Sequence, residues 1–458
     1  MSARENLRRL AVTTMNVALM LVAGPAVIAS GAVAAQDAAQ NKAAQDDPRT
    51  TVLRAARLLD VRNGQYTEHA VVVVSSGRIE SVGSDASAIP AGARIVDLGG
   101  RTLLPGLIDA HTHILIQGDA TDAEYDDQIL KEYPAHRVAR AVRALKIALE
   151  HGFTTMRDLE TEGAGYGDVA LRDAVDEGVI PGPRLQVAGP ALSTTGTYPI
   201  LHYRPDWSFP TGVMICDGAD GCRRAVREQI SYGTDWVKVY ANTGRPRLTD
   251  DGYIDTRPNW TAAELAAIVS EAHARGRRVA AHATSDTGTR MAIAAGVDSI
   301  EHGDSIRPEM AAEMAHKSIF YCPTQTVLYY QAAFYPDDAM LKEIEKIAAK
   351  SLANCRKAGV KVVFGTDAGG FPWTEINQAK EFRYEVQLGM TPLEAIRSAT
   401  AVAADALGLS GQAGLLAKGA HADIVAVPGD PLQDVGVLER VDFVMKGGRV
   451  VVEPGRQN

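Results

Sequence analysis

The chain is short of cysteine, with four in 458 residues: Cys216, Cys222, Cys322 and Cys355. None stands in a CxxC pair, which argues against thiolate zinc sites and CxxC redox centres. Cys216 and Cys222 flank Asp-Gly-Ala-Asp-Gly, and in an oxidising compartment they could close that loop as a disulfide; two free thiols are the alternative. Basic residues are also scarce, 47 Lys and Arg against 56 Asp and Glu, for a formal net charge of −9. That disfavours nucleic acid as the main partner, since phosphates call for a basic face. Repeats of the solenoid kind are absent. So are apolar runs long enough to span a bilayer in the mature chain.

The one apolar run of note, Val17 to Ile28, is short and broken by Gly24 and Pro25. It follows Arg4, Arg8 and Arg9 and precedes Ala32-Val33-Ala34, the small-x-small pattern of a signal-peptidase site. Residues 1–34 therefore read as a signal peptide of a periplasmic or secreted protein, with an uncleaved anchor as the alternative. Arg8-Arg9 fits twin-arginine export poorly. Residues 35–50, rich in Ala, Gln and Asp, read as a disordered leader.

What remains has an ordinary soluble composition, 46% hydrophobic and 22% charged. Residues 51–103 carry short β-rich segments with turns, such as Ala70-Val71-Val72-Val73-Val74 before Ser75-Ser76-Gly77-Arg78. Residues 413–458 repeat that pattern in Ala422–Val427 and in Val441–Met445 before Lys446-Gly447-Gly448-Arg449. The two ends are expected to build one small β-sandwich. Between them, residues 104–412 alternate apolar strands with helical stretches. Leu104–Ile108, Phe153–Asp158, Arg184–Ala188, Trp236–Tyr240, Arg278–His282, Ser299–His302, Ile319–Pro323 and Lys361–Asp367 read as strands. Tyr133–His151, Val169–Glu177, Thr261–Arg275 and Thr391–Ala399 read as helices, and Thr261 with Glu264 forms a capping box. Such alternation means parallel βαβ units, in a barrel or an open sheet.

The polar residues fall at the strand ends. His111 and His113 occupy i and i+2 of an extended segment, so they point the same way. Lys238 interrupts the apolar Trp236-Val237-Lys238-Val239-Tyr240, and lysine is rarely buried without a partner. It could snorkel to solvent or pair with a carboxylate; it could also add CO₂ and present a carbamate to two cations. His282, His302 and Asp367 each close a separate β-stretch. In a (β/α)₈ barrel those ends converge on one rim. Imidazole and carboxylate donors suit Zn²⁺, with Mn²⁺, Co²⁺ or Fe²⁺ as alternatives.

Taken in order, Leu104-Pro105-Gly106-Leu107-Ile108-Asp109-Ala110-His111-Thr112-His113, Val237-Lys238-Val239-Tyr240, His282-Ala283, Glu301-His302-Gly303, Gly365-Thr366-Asp367-Ala368 and Lys418–Val425 resemble the amidohydrolase superfamily. The resemblance is to its two-metal branch with a carbamylated lysine, in the group holding prolidase-like, Xaa-Arg/Lys dipeptidase and ochratoxin-degrading members. It runs over essentially the whole chain from residue 51. It implies a (β/α)₈ TIM-like barrel and a homo-oligomer. His111, His113 and Asp367 would hold one metal and His282 and His302 the other, with carbamylated Lys238 between them; both are expected to be zinc. A hydroxide between the cations would attack an amide carbonyl. Asp367 would carry its proton to the leaving amine, and Tyr240 would bind the oxyanion unless it merely packs. His202, in the loop after the third barrel strand, is a candidate for the substrate carboxylate, with Arg245 and Arg247 as alternatives. Glu301 reads as structural, facing away from the site. The expected substrates are dipeptides or N-acyl amino acids. A lactonase, phosphotriesterase or imidazolone-type hydrolase on the same site is the second reading, and a metal-free scaffold the third. Deaminases of the superfamily lack the strand-four lysine and carry His-x-x-Glu after strand five. This chain has Lys238, and Ala283-Thr284-Ser285 after His282.

Overall fold

The computed structural model describes residues 50–84, 89–197, 204, 206 and 209–455. The expected signal peptide, nearly all of the leader, and His202 lie outside them. Among the described residues no helix is long and apolar enough to cross a membrane.

The two ends of the chain do meet in one β unit, but hydrogen bonding joins them into a single eight-stranded sheet. The N-terminal part supplies β1 (Thr51–Asp60), β2 (Gln65–Ser75), β3 (Arg78–Gly83), β4 (Arg94–Asp97) and β5 (Arg101–Pro105). The pairing of β5 with β17 (Ile424–Pro428) ties the termini together, Leu104 opposite Val425. β18 (Phe443–Lys446) and β19 (Arg449–Val452) complete the sheet. Leu53, Val72, Leu103, Ile424 and Phe443 form one buried cluster on it. Leu104, Val425 and Val444 instead join the main core of the middle segment. Ala70, Val72 and Val74 pack in the first of these clusters and Val71 and Val73 with Val52 in a third, so residues 70–74 are buried in succession, not alternately.

The middle holds β6 (Leu107–Thr112), β7 (Phe153–Asp158) and β8 (Arg184–Val187), which run parallel. A second parallel set contains β9 (Leu192–Ser193), β10 (Met214–Ile215), β11 (Trp236–Tyr240), β14 (Arg278–Ala283), β15 (Ser299–His302) and β16 (Phe320–Cys322). An antiparallel hairpin, β12 (Asn242–Leu248) and β13 (Ile254–Pro258), follows β11. The expected helices form at Pro134–Glu150, Gly167–Asp176, Ala262–Ala274 and Pro392–Ser398, the third with the Thr261–Glu264 capping box in place.

Two expected strands differ. Leu104 and Pro105 belong to the terminal sheet, and β6 starts only at Leu107. Gly106 is the break: a Cβ there would lie 2.1 Å from Thr154 Oγ1, so the chain can turn between sheets only without a side chain. Residues 361–367 are not a regular strand. They bond on both sides, Val363 N–H to Tyr321 O (2.8 Å) and Ala110 N–H to Phe364 O (3.0 Å), and leave the extended conformation at Asp367, whose φ is +60°. Between β8 and β11, Asp235 N–H donates to Val187 O at 2.8 Å.

Candidate functional site

The carboxyl ends of β6, β11, β14 and β15, with residue 367, bring five of the sequence-selected side chains around one cavity of about 210 Å³: His113, Lys238, His282, His302 and Asp367. His111 stands behind them, wholly buried. Asp367 is the hub. Its Oδ1 lies 3.1 Å from His113 Nε2 and 3.6 Å from His111 Nε2, and its Oδ2 lies 3.9 Å from His302 Nδ1. Lys238, 1% exposed, places Nζ 3.5 Å from His111 Nε2. The His282 and His302 ring centres are 4.6 Å apart. In the parallel register Lys238 faces Ala280 and Tyr240 faces His282, which sets His282 beside the lysine strand.

Backbone geometry aims these groups. His302 (φ +66°), Asp367 (+60°) and Thr324 (+46°) are all left-handed non-glycine residues. Such conformations cost about 1–3 kcal/mol each and persist only where surrounding contacts impose them. Gly365 makes room: a Cβ would come within 2.3 Å of Cys322 Sγ and 2.8 Å of His111 Cβ.

Buttressing hydrogen bonds orient the rings. Glu301 Oε2 takes His111 Nδ1 at 2.9 Å, which leaves Nε2 toward Asp367 and Lys238. Glu301 Oε1 is held by Arg157 at 2.9 Å. The sequence reading of Glu301 as structural stands, but not its facing away: its carboxylate lies on the side of the first histidine, and it is His302 whose left-handed backbone departs from strand alternation. His302 Nδ1 meets Thr324 Oγ1 at 2.8 Å.

Burial keeps three of the imidazoles neutral. It lowers His111 to about 4, with Lys238 adding to the effect, and His302 to about 3; His282 falls well below the usual histidine value, by burial and then by His302. Burial would raise Asp367, but His111, His113 and His302 together hold its carboxylate well below the usual range. Neutral imidazoles and an ionised carboxylate are the forms that bind cations. Donor atoms of His111, His302 and Asp367 lie within 4.8 Å of one another, so the group could hold a divalent ion.

The cavity is richer in acid than the sequence suggested. Asp119, Glu162 and Asp304 line it beside Asp367. Burial raises Asp304 to about 7, and burial followed by Asp367 and Glu162 raises Asp119 well above an ordinary aspartate. Glu160 and Glu162, both buried, lie close to His113. A visible signal was the alternation Asp158-Leu159-Glu160-Thr161-Glu162 at a strand end, the acidic counterpart of the His-x-His. Tyr240 lines the cavity, but its hydroxyl donates to Glu160 Oε2. Arg245 and Arg247 are exposed on the β12–β13 hairpin. Cys216 and Cys222 are free and buried, the Cys222 thiol donating to Cys216 O at 3.4 Å.

The chain is similar to known proteins over most of its length. Residues 102–451 match the model of the amidohydrolase family. Ochratoxinase of Aspergillus niger is 34% identical over 450 residues, 90% of this chain and 89% of that protein. The structure of a Xaa-Pro dipeptidase with bound methionine superposes with a TM-score of 0.78 at 30% identity, covering 88% of this chain and 100% of that one. A prolidase complexed with N-methylphosphonate-L-proline gives 0.77 at 32%, with the same coverage. The chain belongs to the amidohydrolase family.

Proposed function

We propose that this enzyme, a hydrolase of amide bonds, cleaves dipeptides or N-acyl amino acids with the help of two divalent cations. The observation that carries the reading is the contact of one carboxylate, Asp367, with three imidazoles in a buried cavity. Its kinship with ochratoxinase and prolidase supports the same bond type.

His111, His113 and Asp367 would hold one cation and His282 and His302 the other. Lys238 would serve both as a carbamate, formed when its neutral amine adds CO₂ and releases a proton. The donor set fits zinc, being imidazole and carboxylate without thiolate. When bound, the cations supply a lowered water pKa and a polarised carbonyl. Asp367, open to the cavity beside His113, is the group that accepts a proton there and returns it to the departing amine nitrogen. Glu301 and Thr324 keep the rings of His111 and His302 in place. Tyr240 lines the cavity while its hydroxyl is bonded to Glu160, and it reaches an oxyanion only if that bond is released. We read the parallel strands as one (β/α)₈ barrel, with residues 361–368 as its irregular eighth stave; their bonds to both β16 and β6 support this.

The test is hydrolysis of a panel of dipeptides and N-acyl amino acids by zinc-loaded enzyme, with lactones and phosphotriesters as controls. Amide cleavage lost in Asp367→Asn supports the proposal. Fast lactone or phosphotriester cleavage without amide cleavage overturns it.

A further inference from the structure

The inner cavity is small. At about 210 Å³ it falls below the roughly 300–1,000 Å³ of ordinary small-molecule sites. A second pocket of about 480 Å³ adjoins it, and Gln331 is a wall of both. Its lining differs in kind: Tyr335, Met340, Leu341 and Ile344 give it an apolar floor, and Arg245 stands at its edge. Met340, Leu341 and Ile344 lie on the helix Ala339–Ala358 and are only half-buried. Asp338, also in the lining, is spent on capping that helix: its Oδ1 accepts from the N–H groups of Met340 and Leu341 at 2.7 and 3.1 Å. The hairpin is irregular where it carries Arg245. The β12–β13 register slips between Thr243 and Arg247, and Gly244 has φ +96°. A slip of this kind takes residues out of the ladder and re-aims a side chain.

We infer that the outer pocket is a subsite for one half of the substrate, a bulky apolar group bearing an acid, with the apolar part on Met340, Leu341 and Ile344 and the acid at Arg245. The inference rests on the amide-hydrolase reading, because it assumes that the scissile bond sits in the inner cavity. Two facts support this occupant. The pockets share Gln331 as a wall, so a molecule anchored in the inner cavity can extend past it into the outer pocket. The outer lining also offers Arg245, and the one carboxylate there, Asp338, is taken up by backbone N–H groups, so an acid group that reaches the outer pocket meets a cation. The half in question is either the acyl group or the amino acid.

Two series separate those sources. In one the amine is fixed and the acyl group grows: N-acetyl-, N-benzoyl- and N-naphthoyl-L-alanine. In the other the acyl group is fixed and the amino acid grows: N-acetyl-L-alanine, -L-leucine and -L-phenylalanine. Binding is read by calorimetry on chelator-treated full-length enzyme, which removes turnover, and kcat/KM is read separately on zinc-loaded enzyme. The subsite predicts that affinity rises about tenfold or more along one series. The rise is cut several-fold in Ile344→Asp. If the acyl series is the one that rises, Arg245→Ala weakens N-(carboxybenzoyl)-L-alanine more than N-benzoyl-L-alanine; if the amino-acid series rises, it weakens N-acetyl-L-phenylalanine more than its carboxamide. Flat affinity along both series, or a rise that Ile344→Asp leaves untouched in a normally folded variant, overturns the subsite. Absence of amide cleavage in the kinetic arm counts against the amide-hydrolase reading instead.

Discussion

Glu301 Oε2 sits 2.9 Å from Nδ1 of His111, and neither side chain is exposed to solvent. The bond fixes which imidazole nitrogen faces Asp367. Burial would raise the glutamate, but the guanidinium of Arg157 and the ring of His111 hold it well below its usual range, so it stays an ionised acceptor. Loss of such a partner costs about 10–100-fold in metal affinity. Glu301→Gln is therefore expected to weaken zinc binding by that order, read by competition with a chromophoric chelator. Unchanged affinity in a folded variant would remove Glu301 from the site.

Lys238 gives a second expectation. As a carbamate it would depend on dissolved CO₂; as a plain lysine it would not. Extensive dialysis in CO₂-free buffer should lower zinc content and activity together, and bicarbonate should restore both. Lys238→Ala should bind less zinc under every condition and lose more activity than the roughly 10–100-fold expected of an outer partner. Insensitivity to CO₂ would exclude the carbamate.

The third concerns packing. Gly365 has no room for a methyl group, with Cys322 Sγ 2.3 Å and His111 Cβ 2.8 Å from where it would stand. Gly365→Ala is expected to destabilise the fold by about 1–3 kcal/mol in urea unfolding. Because the displaced neighbour is His111, it should also lower metal affinity. A variant with wild-type values in both would contradict the stated closeness.

Much of this was legible beforehand, for identifiable reasons. His111, His113, Lys238, His282, His302 and Asp367 could be picked out because each is a polar residue that ends an apolar stretch or, for Lys238, interrupts one, a pattern that strand periodicity exposes. Glu301, Thr324 and Glu162 could not be placed the same way. The alternation that sequence reading assumes fails at His302, next to Glu301, and at Thr324 and Glu162, which are all left-handed. Gly106 shows the same limit in the fold. The run Leu104 to Ile108 serves two sheets, divided at Pro105-Gly106, where the close approach of Thr154 leaves no room for a side chain.

A pH expectation comes from the terminal sheet. Lys446 on β18 donates to Gly182 O at 2.6 Å, and burial, with Arg184 nearby, lowers its pKa to about 8. Unfolded, it would hold its proton to the ordinary value of 10.5. Between those values the unfolded chain binds more protons than the folded one, so this group's contribution to stability rises with pH across that window. Below pH 8 the half-buried charge works against folding. Any stability advantage of Lys446→Met over wild type should therefore shrink from pH 7 to pH 10, as read from urea midpoints. A difference independent of pH would show that Lys446 titrates normally.

The most direct measurement of the central claim is anomalous X-ray scattering at the zinc edge from crystals of the zinc-loaded enzyme. The account predicts two peaks, one beside His111, His113 and Asp367 and one beside His282 and His302, with density continuing from Lys238 Nζ toward both. A cavity without peaks, or a zinc ion bound elsewhere and none between these side chains, would contradict it.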